Sequence, residues 1–190
     1  IFVAMALTAP AFAQRGALTV PRNLDQLTHR SAIILRGTVI SAHVEKHPEL
    51  SGLNTVVVTL RVKETLKGQA SSTFRFRQYI WDIRDGKNAA GYQKGQDLLL
   101  MMIEPSRYGL SSPAGLDQGR FVISRDSTGR EFAVNGHGNM KLFDGISAQV
   151  AAKGIPLSPR TSSLVQKHLK GPVELRDLTA LIRELAQAGQ

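Results

Sequence analysis

Residues 31–68 constrain the fold most strongly, because they contain two runs with the pattern of neighbouring β-strands. In the second run, residues 54–68, apolar and polar side chains alternate, so that one set faces a core and the other faces solvent. The inward set is Val56, Val58, Leu60 and Val62, and the outward set is Val57, Thr59, Arg61 and Lys63. The first run, residues 32–40, is β-branched with Gly37 at its centre, which predicts a bulge or bend. A polar turn at 45–52 joins the two runs into a predicted hairpin.

Further strand patterns follow at short intervals, in residues 71–80, 97–103, 121–123 and 132–134. Of these runs, residues 97–103 are apolar on both faces. This predicts a central strand that is covered on both sides.

Helical patterns occur near the two ends. Asn23 is suited to cap a short helix in residues 24–29, with Leu24 and Leu27 inward. An amphipathic C-terminal helix is predicted from an apolar stripe at helical spacing, made of Leu175, Leu178, Ile182 and Leu185. The pattern predicts a mainly β fold: a small antiparallel barrel in residues 14–145, then a linker and the C-terminal helix in residues 146–190. A β-sandwich is the alternative.

Residues 1–13 have the pattern of the back half of an export signal. They carry no charge and end in Ala11-Phe12-Ala13, a small-x-small sequence of the kind that signal peptidase cleaves. Cleavage there would leave Gln14 first, so we predict an exported protein, periplasmic or secreted. No later stretch has the apolar length that a membrane-spanning helix needs, and we expect no transmembrane anchor.

The chain is strongly basic, with a formal net charge of +9, and it contains no cysteine. The lack of cysteine excludes thiolate catalysis, Cys-ligated zinc and disulfides. In a cytosolic protein this charge would indicate nucleic-acid binding. Behind an export signal, a protein partner or an anionic component of the cell envelope fits better than nucleic acid. The basic residues are spread along the chain without a block of like charge, so a general solubility and steering field is the favoured explanation. We predict no cofactor and no metal.

Two glycine-containing loops within residues 107–139 carry the candidate side chains for ligand or partner binding. Glycine permits unusual backbone angles, and the residues beside it have recognition chemistry. The candidates are Arg107, Tyr108, Gln118, Arg120, Asn135, His137 and Asn139. A serine hydrolase that uses Ser111 or Ser112 with His137 is an alternative, but Pro113 stands where a nucleophile elbow requires glycine.

Two other patterns have weaker chemistry. Arg75 and Arg77 alternate with phenylalanines in the strand 71–80, which makes the arginines candidates for polyanion binding. Buried phenylalanines with solvated arginines explain the same pattern. His43, Glu45 and His47 would share a face of an extended strand, but their spacing does not match a helical zinc motif, and we assign no metal site.

Several short pieces occur together in a fixed order along residues 24–145. They are Ile34-Leu-Arg-Gly-Thr-Val39, Val62-Lys-Glu-Thr-Leu-Lys-Gly68, Gly95-Gln-Asp-Leu-Leu-Leu-Met101, Gly115-Leu-Asp-Gln-Gly-Arg-Phe121, Ala133-Val-Asn-Gly136 and Leu142-Phe-Asp-Gly145. In these pieces the chain resembles a family of exported, uncharacterised bacterial proteins. That family is similar to the oligonucleotide/oligosaccharide-binding (OB) barrel of tissue inhibitors of metalloproteinases and netrin modules. The resemblance implies an exported OB-like barrel and no established activity. The inhibitors chelate a protease zinc through an N-terminal cysteine, which this chain lacks.

The sequence therefore predicts an exported, non-enzymatic binding module, with its ligand or protein partner open. The alternatives are a serine-type hydrolase that uses the loops in 107–139 and a barrel that binds polyanions or nucleic acid.

Overall fold

The computed structural model describes residues 20–81 and 83–187, so the predicted export signal at 1–13 lies outside the described residues. The strands are β1 (Ile33–Lys46), β2 (Asn54–Lys67), β3 (Thr73–Tyr79), β4 (Asp97–Met102), β5 (Arg120–Arg125), β6 (Glu131–Asn135) and β7 (Val173–Glu174). The helices are α1 (Leu24–Arg30), α2 (Ile146–Ala152), α3 (Pro159–Lys167) and α4 (Leu175–Gln187), with 3₁₀ segments at Ile83–Gly91 and Leu116–Gln118.

The described strands form one antiparallel sheet in the order β3-β2-β1-β4-β5-β6-β7. The prediction of a mainly β fold is confirmed. The closed barrel is not confirmed, because β3 and β7 are the edges of an open sheet. The reason is that β5 pairs with β4 and β6 and is not available to β3. In the described residues, two isolated bridges join β3 and β4 to the connection after β4: Arg77–Leu110 and Met102–Pro113. A single ladder also differs from the two packed sheets of a sandwich.

The predicted hairpin is confirmed as the antiparallel pair β1–β2, which has three register shifts. One of them lies between Arg36 and Gly37. A Cβ atom at position 37 would lie 2.6 Å from the carbonyl oxygen of Arg61 on the partner strand. A side chain does not fit there, so the glycine permits the bend that the sequence predicts.

Strand β4 separates two hydrophobic cores, which confirms the prediction of a strand covered on both sides. Leu99 and Met101 point into the helix-side core, where α1, α2 and α4 pack on the sheet. Leu98, Leu100 and Met102 point into the strand-side core, which β1, β2 and β3 share with Ile80 and Tyr92. Alternation along one strand therefore supplies both cores.

Val57 departs from the predicted alternation. It was expected in solvent with the outward set of β2, but its side chain is only 1% exposed. Arg77 on β3 lies opposite Val57 in the register. The Arg77 side chain reaches across β2 to an ion pair with Glu45 on β1, at 2.5 Å. This ion pair crosses the face of β2 beside Val57 and covers this apolar side chain.

The two predicted terminal helices are present. Asn23 caps α1 through a reciprocal pair of hydrogen bonds with Gln26, and Leu24 and Leu27 are buried. The C-terminal stripe becomes the buried face of α4 and packs in the helix-side core of the same chain. Strand β7, and helices α2 and α3 that precede it, join this region to the sheet. Within the described residues, no helix combines the length and apolar character needed to cross a membrane.

Candidate ligand-binding groove

A small groove lies where the end of β3 meets the connection from β4 to β5, with a volume of about 180 Å³. We call it the aromatic groove. It is lined by Gln78, Tyr79, Trp81, Ile103, Leu110, Ser111, Ser112 and Leu116. Typical pockets for drug-sized ligands hold about 300–1,000 Å³ and combine apolar walls with a few polar groups. The composition matches that description, and the volume suits a single ring-sized group.

Trp81 forms the exposed lip of the groove. Its side chain is 65% exposed, and its ring packs edge-on against Tyr79 with the ring centroids 4.8 Å apart and the planes at 80°. Edge-to-face packing is a favoured geometry for aromatic pairs and holds both rings in place. The exposed part of the Trp81 ring offers a ligand in the groove a rigid aromatic surface.

The opposite wall of the groove is held by hydrogen bonds to the main chain of its own loop and of β3. The Ser111 N–H donates to the Arg77 carbonyl oxygen at 2.8 Å, and the Ser111 hydroxyl donates to the Ile103 carbonyl oxygen at 2.8 Å. The Ser106 N–H donates to the Leu110 carbonyl oxygen at 2.8 Å. These bonds fix the loop of residues 103–113, so the wall is formed before any ligand arrives.

Arg107 and Tyr108 are the two predicted site residues on this loop. The Arg107 guanidinium lies 4.6 Å from the centre of the Tyr108 ring and donates to its hydroxyl at 2.6 Å. Arg107 is exposed and Tyr108 is half-buried. The pair therefore stays on the surface, a few residues from the groove wall.

Three predicted candidates have a structural role instead, because their side chains are buried and bonded to the main chain. The Asn135 side chain donates to the Gln118 carbonyl oxygen and accepts from the Asn139 N–H. The Asn139 side chain accepts from the Asn135 N–H at 3.0 Å and donates to the Ala133 and Gly171 carbonyl oxygens at 2.9 and 2.8 Å. The Gln118 side chain bonds the main chain near residue 20, at Val20 and Arg22.

His137 belongs to the same turn but is exposed. Its backbone N–H donates to the Asn135 side chain, and its carbonyl oxygen accepts from the Met140 N–H. No hydrogen bond of its ring to a serine occurs among the described residues. Ser111 is buried, and its hydroxyl is engaged with Ile103. The structure therefore gives no support to a Ser111–His137 catalytic pair, which needs a base within hydrogen-bond reach.

Arg120 is connected to the aromatic groove through Tyr92. Its guanidinium lies 4.8 Å from the centre of the Tyr92 ring and forms an ion pair with Asp117 at 3.0 Å. The Tyr92 hydroxyl donates to the Gln78 side-chain oxygen at 2.9 Å. Burial raises the pKa of Tyr92 to about 12, so this hydroxyl keeps its proton and holds Gln78. The amide N–H₂ of Gln78 remains as its second hydrogen-bonding group.

The two predicted polyanion residues differ in availability. Arg77 is engaged by Glu45 and by the Thr55 hydroxyl at 2.8 Å. The hydrogen bond from Arg77, and then that from His43, lowers the pKa of the Glu45 carboxyl.

Arg75 is exposed, and the strand register makes Arg61 its diagonal neighbour on the same face of the sheet. Among the described residues neither Arg61 nor Arg75 has an ion-pair partner.

The three residues whose spacing resembles that of metal ligands do not lie together in the structure. His43 and Glu45 form an exposed pair at 3.1 Å, while His47 turns inward to the Tyr108 carbonyl oxygen. Across residues 20–81 and 83–187, no group of three or more His, Cys, Asp or Glu side chains is arranged to hold a metal ion.

No match was found among protein-family models, curated proteins or solved structures. The resemblance to OB barrels of metalloproteinase inhibitors and netrin modules therefore stays a prediction.

Sequence reasoning missed the aromatic groove as a site. Its lining comes from two segments, 78–81 and 103–116, that are distant in the chain. The one available signal was Trp81 itself, a tryptophan placed directly after a predicted strand and before a polar connection.

Proposed function

We propose that this protein is a non-enzymatic ligand-binding module and that the aromatic groove is its ligand site. The observation that carries the proposal is the exposed Trp81, held edge-on against Tyr79 at the lip of a groove. The wall opposite Trp81 is fastened by hydrogen bonds of Ser111. A preformed site loses little conformational entropy when it binds a ligand.

The chemistry of the lining suits a sugar ring. Tyr79 and Trp81 offer aromatic surface to the apolar face of a ring, and Gln78 and Ser112 offer polar groups to its hydroxyls. Apolar Leu110 and Leu116 complete the groove. The volume accommodates one such ring, with neighbouring units of an oligosaccharide outside.

We also propose that the protein is exported and that strands β1 to β4 form an OB-like half of the sheet. The sequence Ala11-Phe12-Ala13 supports action outside the cytoplasm. Contiguous pairing of β3-β2-β1-β4 around the strand-side core, with bridges at Arg77–Leu110 and Met102–Pro113, supports an incompletely closed OB-like arrangement.

The chain's single tryptophan makes the test direct, because its fluorescence reports on the groove. We expect the emission of the full chain to change on titration with at least one neutral oligosaccharide from a panel of glucose, mannose and N-acetylglucosamine oligomers. Trp81→Ala should weaken the binding measured by calorimetry at least about tenfold, as for an aromatic hot-spot residue.

Leu169→Ala is the matched control, since Leu169 is an exposed apolar residue away from the groove lining, and binding should not change. Unchanged emission across the panel would contradict the proposal that the ligand is a sugar. A response to apolar peptides instead would support the groove as the binding site but show that its ligand is a peptide. Full binding by Trp81→Ala would contradict the site itself.

A second candidate, polyanion binding, is favoured by one observation, the exposed diagonal pair Arg61 and Arg75. An anionic component of the cell envelope, or an acidic protein partner, would be attracted there. We expect heparin, used as the probe, to bind with an affinity that falls steeply with salt. Replacing both arginines with glutamine should reduce this affinity more than replacing exposed Lys167 and Lys170. Equal losses would indicate diffuse charge only.

A further inference from the structure

Two turns that lie far apart in the chain meet beside β6. One is the turn after β6, in residues 136–145, and the other is the connection between α3 and β7, in residues 168–172. The Gly171 N–H donates to the Gly138 carbonyl oxygen at 2.7 Å, and the Asn139 side chain donates to the Gly171 carbonyl oxygen at 2.8 Å. These hydrogen bonds hold the two turns side by side.

Each turn carries one large apolar side chain in solvent. Met140 is 61% exposed, and Leu169, at 77%, is the most exposed large apolar residue in the described part of the chain. Met140 stands between two residues in the left-handed region, Asn139 with φ of 57° and Lys141 with φ of 59°. That conformation is uncommon for a long side chain such as lysine, and such strain clusters at functional sites. The turn therefore keeps a strained backbone in the conformation that leaves Met140 in water.

Three exposed lysines flank these two side chains. One follows the methionine directly, and two stand on either side of the leucine in the sequence: Lys141, Lys167 and Lys170. None of the three forms an ion pair within residues 20–81 and 83–187. The exposed Asp144 brings one opposing charge to the turn after β6. We call the five residues Met140, Lys141, Lys167, Leu169 and Lys170 the basic-apolar patch.

A cavity between α3 and the start of α4 adjoins this patch. Its volume is about 410 Å³, and it is lined by Arg160, Ser163, Leu164, Lys167, His168 and Asp177. Arg160 is already engaged by Asp177 and Glu174. Lys167 is the cation of the lining that has no carboxylate partner among the described residues, and lysine binds phosphate as a point charge. The cavity therefore gives a phosphate group room beside the exposed leucine.

We propose that the basic-apolar patch docks on the surface of an anionic lipid bilayer. Met140 and Leu169 enter the boundary between headgroups and acyl chains, and the three lysines contact headgroup phosphates. Binding at a membrane surface combines buried apolar area with attraction to anionic lipids, and the patch offers both. An acidic protein matches the charge less well, because lysine is depleted in protein–protein interfaces. The patch shares no residue with the lining of the aromatic groove, so the inference does not depend on the function proposed above.

The first test measures how much of the full chain sediments with vesicles. We expect binding to vesicles of equal parts phosphatidylglycerol and phosphatidylcholine, and none to vesicles of phosphatidylcholine alone. The affinity should fall when the salt concentration rises from about 0.05 M to about 0.5 M, because salt screens exposed charges. Absence of binding to the anionic vesicles would contradict the proposal.

Replacing the three patch lysines with glutamine should weaken vesicle binding about a hundredfold, since each lysine near an anionic surface contributes a factor of about five. The matched control replaces three exposed lysines outside the patch, Lys46, Lys87 and Lys94, which changes the net charge by the same amount. We expect it to weaken binding less than about threefold, as an effect of net charge alone. Equal losses from the two triple variants would indicate diffuse charge and contradict the patch.

The apolar contribution is tested separately. Met140→Ser combined with Leu169→Ser should weaken vesicle binding at least about tenfold, because apolar surface no longer leaves water. The matched control is Val44→Ser combined with Val122→Ser, two exposed apolar residues on strands β1 and β5, and binding should not change. Unchanged binding by the Met140 and Leu169 variant would contradict insertion into the bilayer.

Insertion is also measured by moving the single tryptophan of the chain to the patch. In Trp81→Phe combined with Leu169→Trp, we expect the emission to shift to the blue on anionic vesicles and to be quenched by lipids brominated on their acyl chains. The wild-type emission, which comes from Trp81 outside the patch, should not change with the same vesicles. Binding without this blue shift would contradict the proposal. Binding to polyglutamate that depends on the patch as strongly as vesicle binding does would identify an acidic protein as the partner instead.

Discussion

The loop after β4 and the turn after β6 both carry glycines and polar side chains, but they hold their shape by different means. In the turn after β6, the side chains of Asn135 and Asn139 point inward and bond the main chain. In the loop 103–113, backbone groups bond one another and β3, and the hydroxyls of Ser106 and Ser111 bond the main chain, while Arg107 and Tyr108 remain at the surface. The comparison shows that side chains which hold a turn together are not available to a ligand. In the loop 103–113 that task falls to backbone groups and two short serine side chains, so Arg107 and Tyr108 stay available.

The largest effect should come from Asn139, whose side chain is 0% exposed and takes part in three hydrogen bonds. Asn139→Ala leaves the buried Asn135 N–H without its side-chain acceptor and removes one donor from each of the Ala133 and Gly171 carbonyl oxygens. We expect the free energy of unfolding, measured with urea, to fall by about 2–4 kcal/mol. His137→Ala in the same turn should change it by less than about 0.5 kcal/mol. Similar losses from the two variants would mean that the buried Asn139 side chain has no special role in this turn, and the contrast with the loop 103–113 would not hold.

Tyr92 should give a comparable effect, but only in alkali. Its folded pKa of about 12 lies above the ordinary value of about 10, so its contribution to stability is complete below pH 10 and is lost as pH rises toward 12. Two pKa units correspond to about 2–3 kcal/mol at pH 12. We expect the wild type to lose this amount relative to Tyr92→Phe between pH 10 and pH 12. Parallel stability curves for the two proteins would contradict the burial of this hydroxyl.

Trp81 should give the smallest effect on stability. Trp81→Ala removes a side chain that lies mostly in solvent, and we expect thermal and urea unfolding to change by less than about 0.5 kcal/mol. A loss above about 1.5 kcal/mol would mean that Trp81 acts as a core residue. Such a result would mean that the side chains at the groove stabilise the fold, as those of the turn after β6 do, and are not free for a ligand.

The sequence predicted those parts of the fold that depend on local periodicity. The inward positions of β2, the doubly apolar β4 and the stripe of α4 each report the environment of their own segment. Val57 departs from the pattern of β2 because the Arg77–Glu45 ion pair covers it. Sheet closure is different, because it depends on which distant strand β5 joins, and no local pattern encodes that choice. The two-residue strand β7 is too short to leave a periodic signal.

The candidate site was predicted less well for the same physical reason. Asn135 and Asn139 have recognition chemistry in the sequence, and only the folded chain shows that main-chain groups use it. The groove joins the end of β3 to residues 103–116, so its lining exists only after long-range pairing. Arg107 and Tyr108 contact each other at the surface, and a role for them in binding stays a prediction. The contact of His47 with the Tyr108 carbonyl oxygen joins distant segments, and the sequence pattern indicated only a weak metal-ligand spacing for His47.

The position of β3 at the edge of the sheet has a consequence for solubility. An edge strand presents unpaired backbone groups that can template pairing with another molecule and begin aggregation. Here the chain covers the edge at Arg77, where Leu110 and Ser111 are bridged to it. Further along the strand, Arg75 places an exposed charge on the open stretch, a common protection of edge strands. A loop released from Arg77 would uncover the rest of the edge, so fastening the loop also protects the protein from self-association.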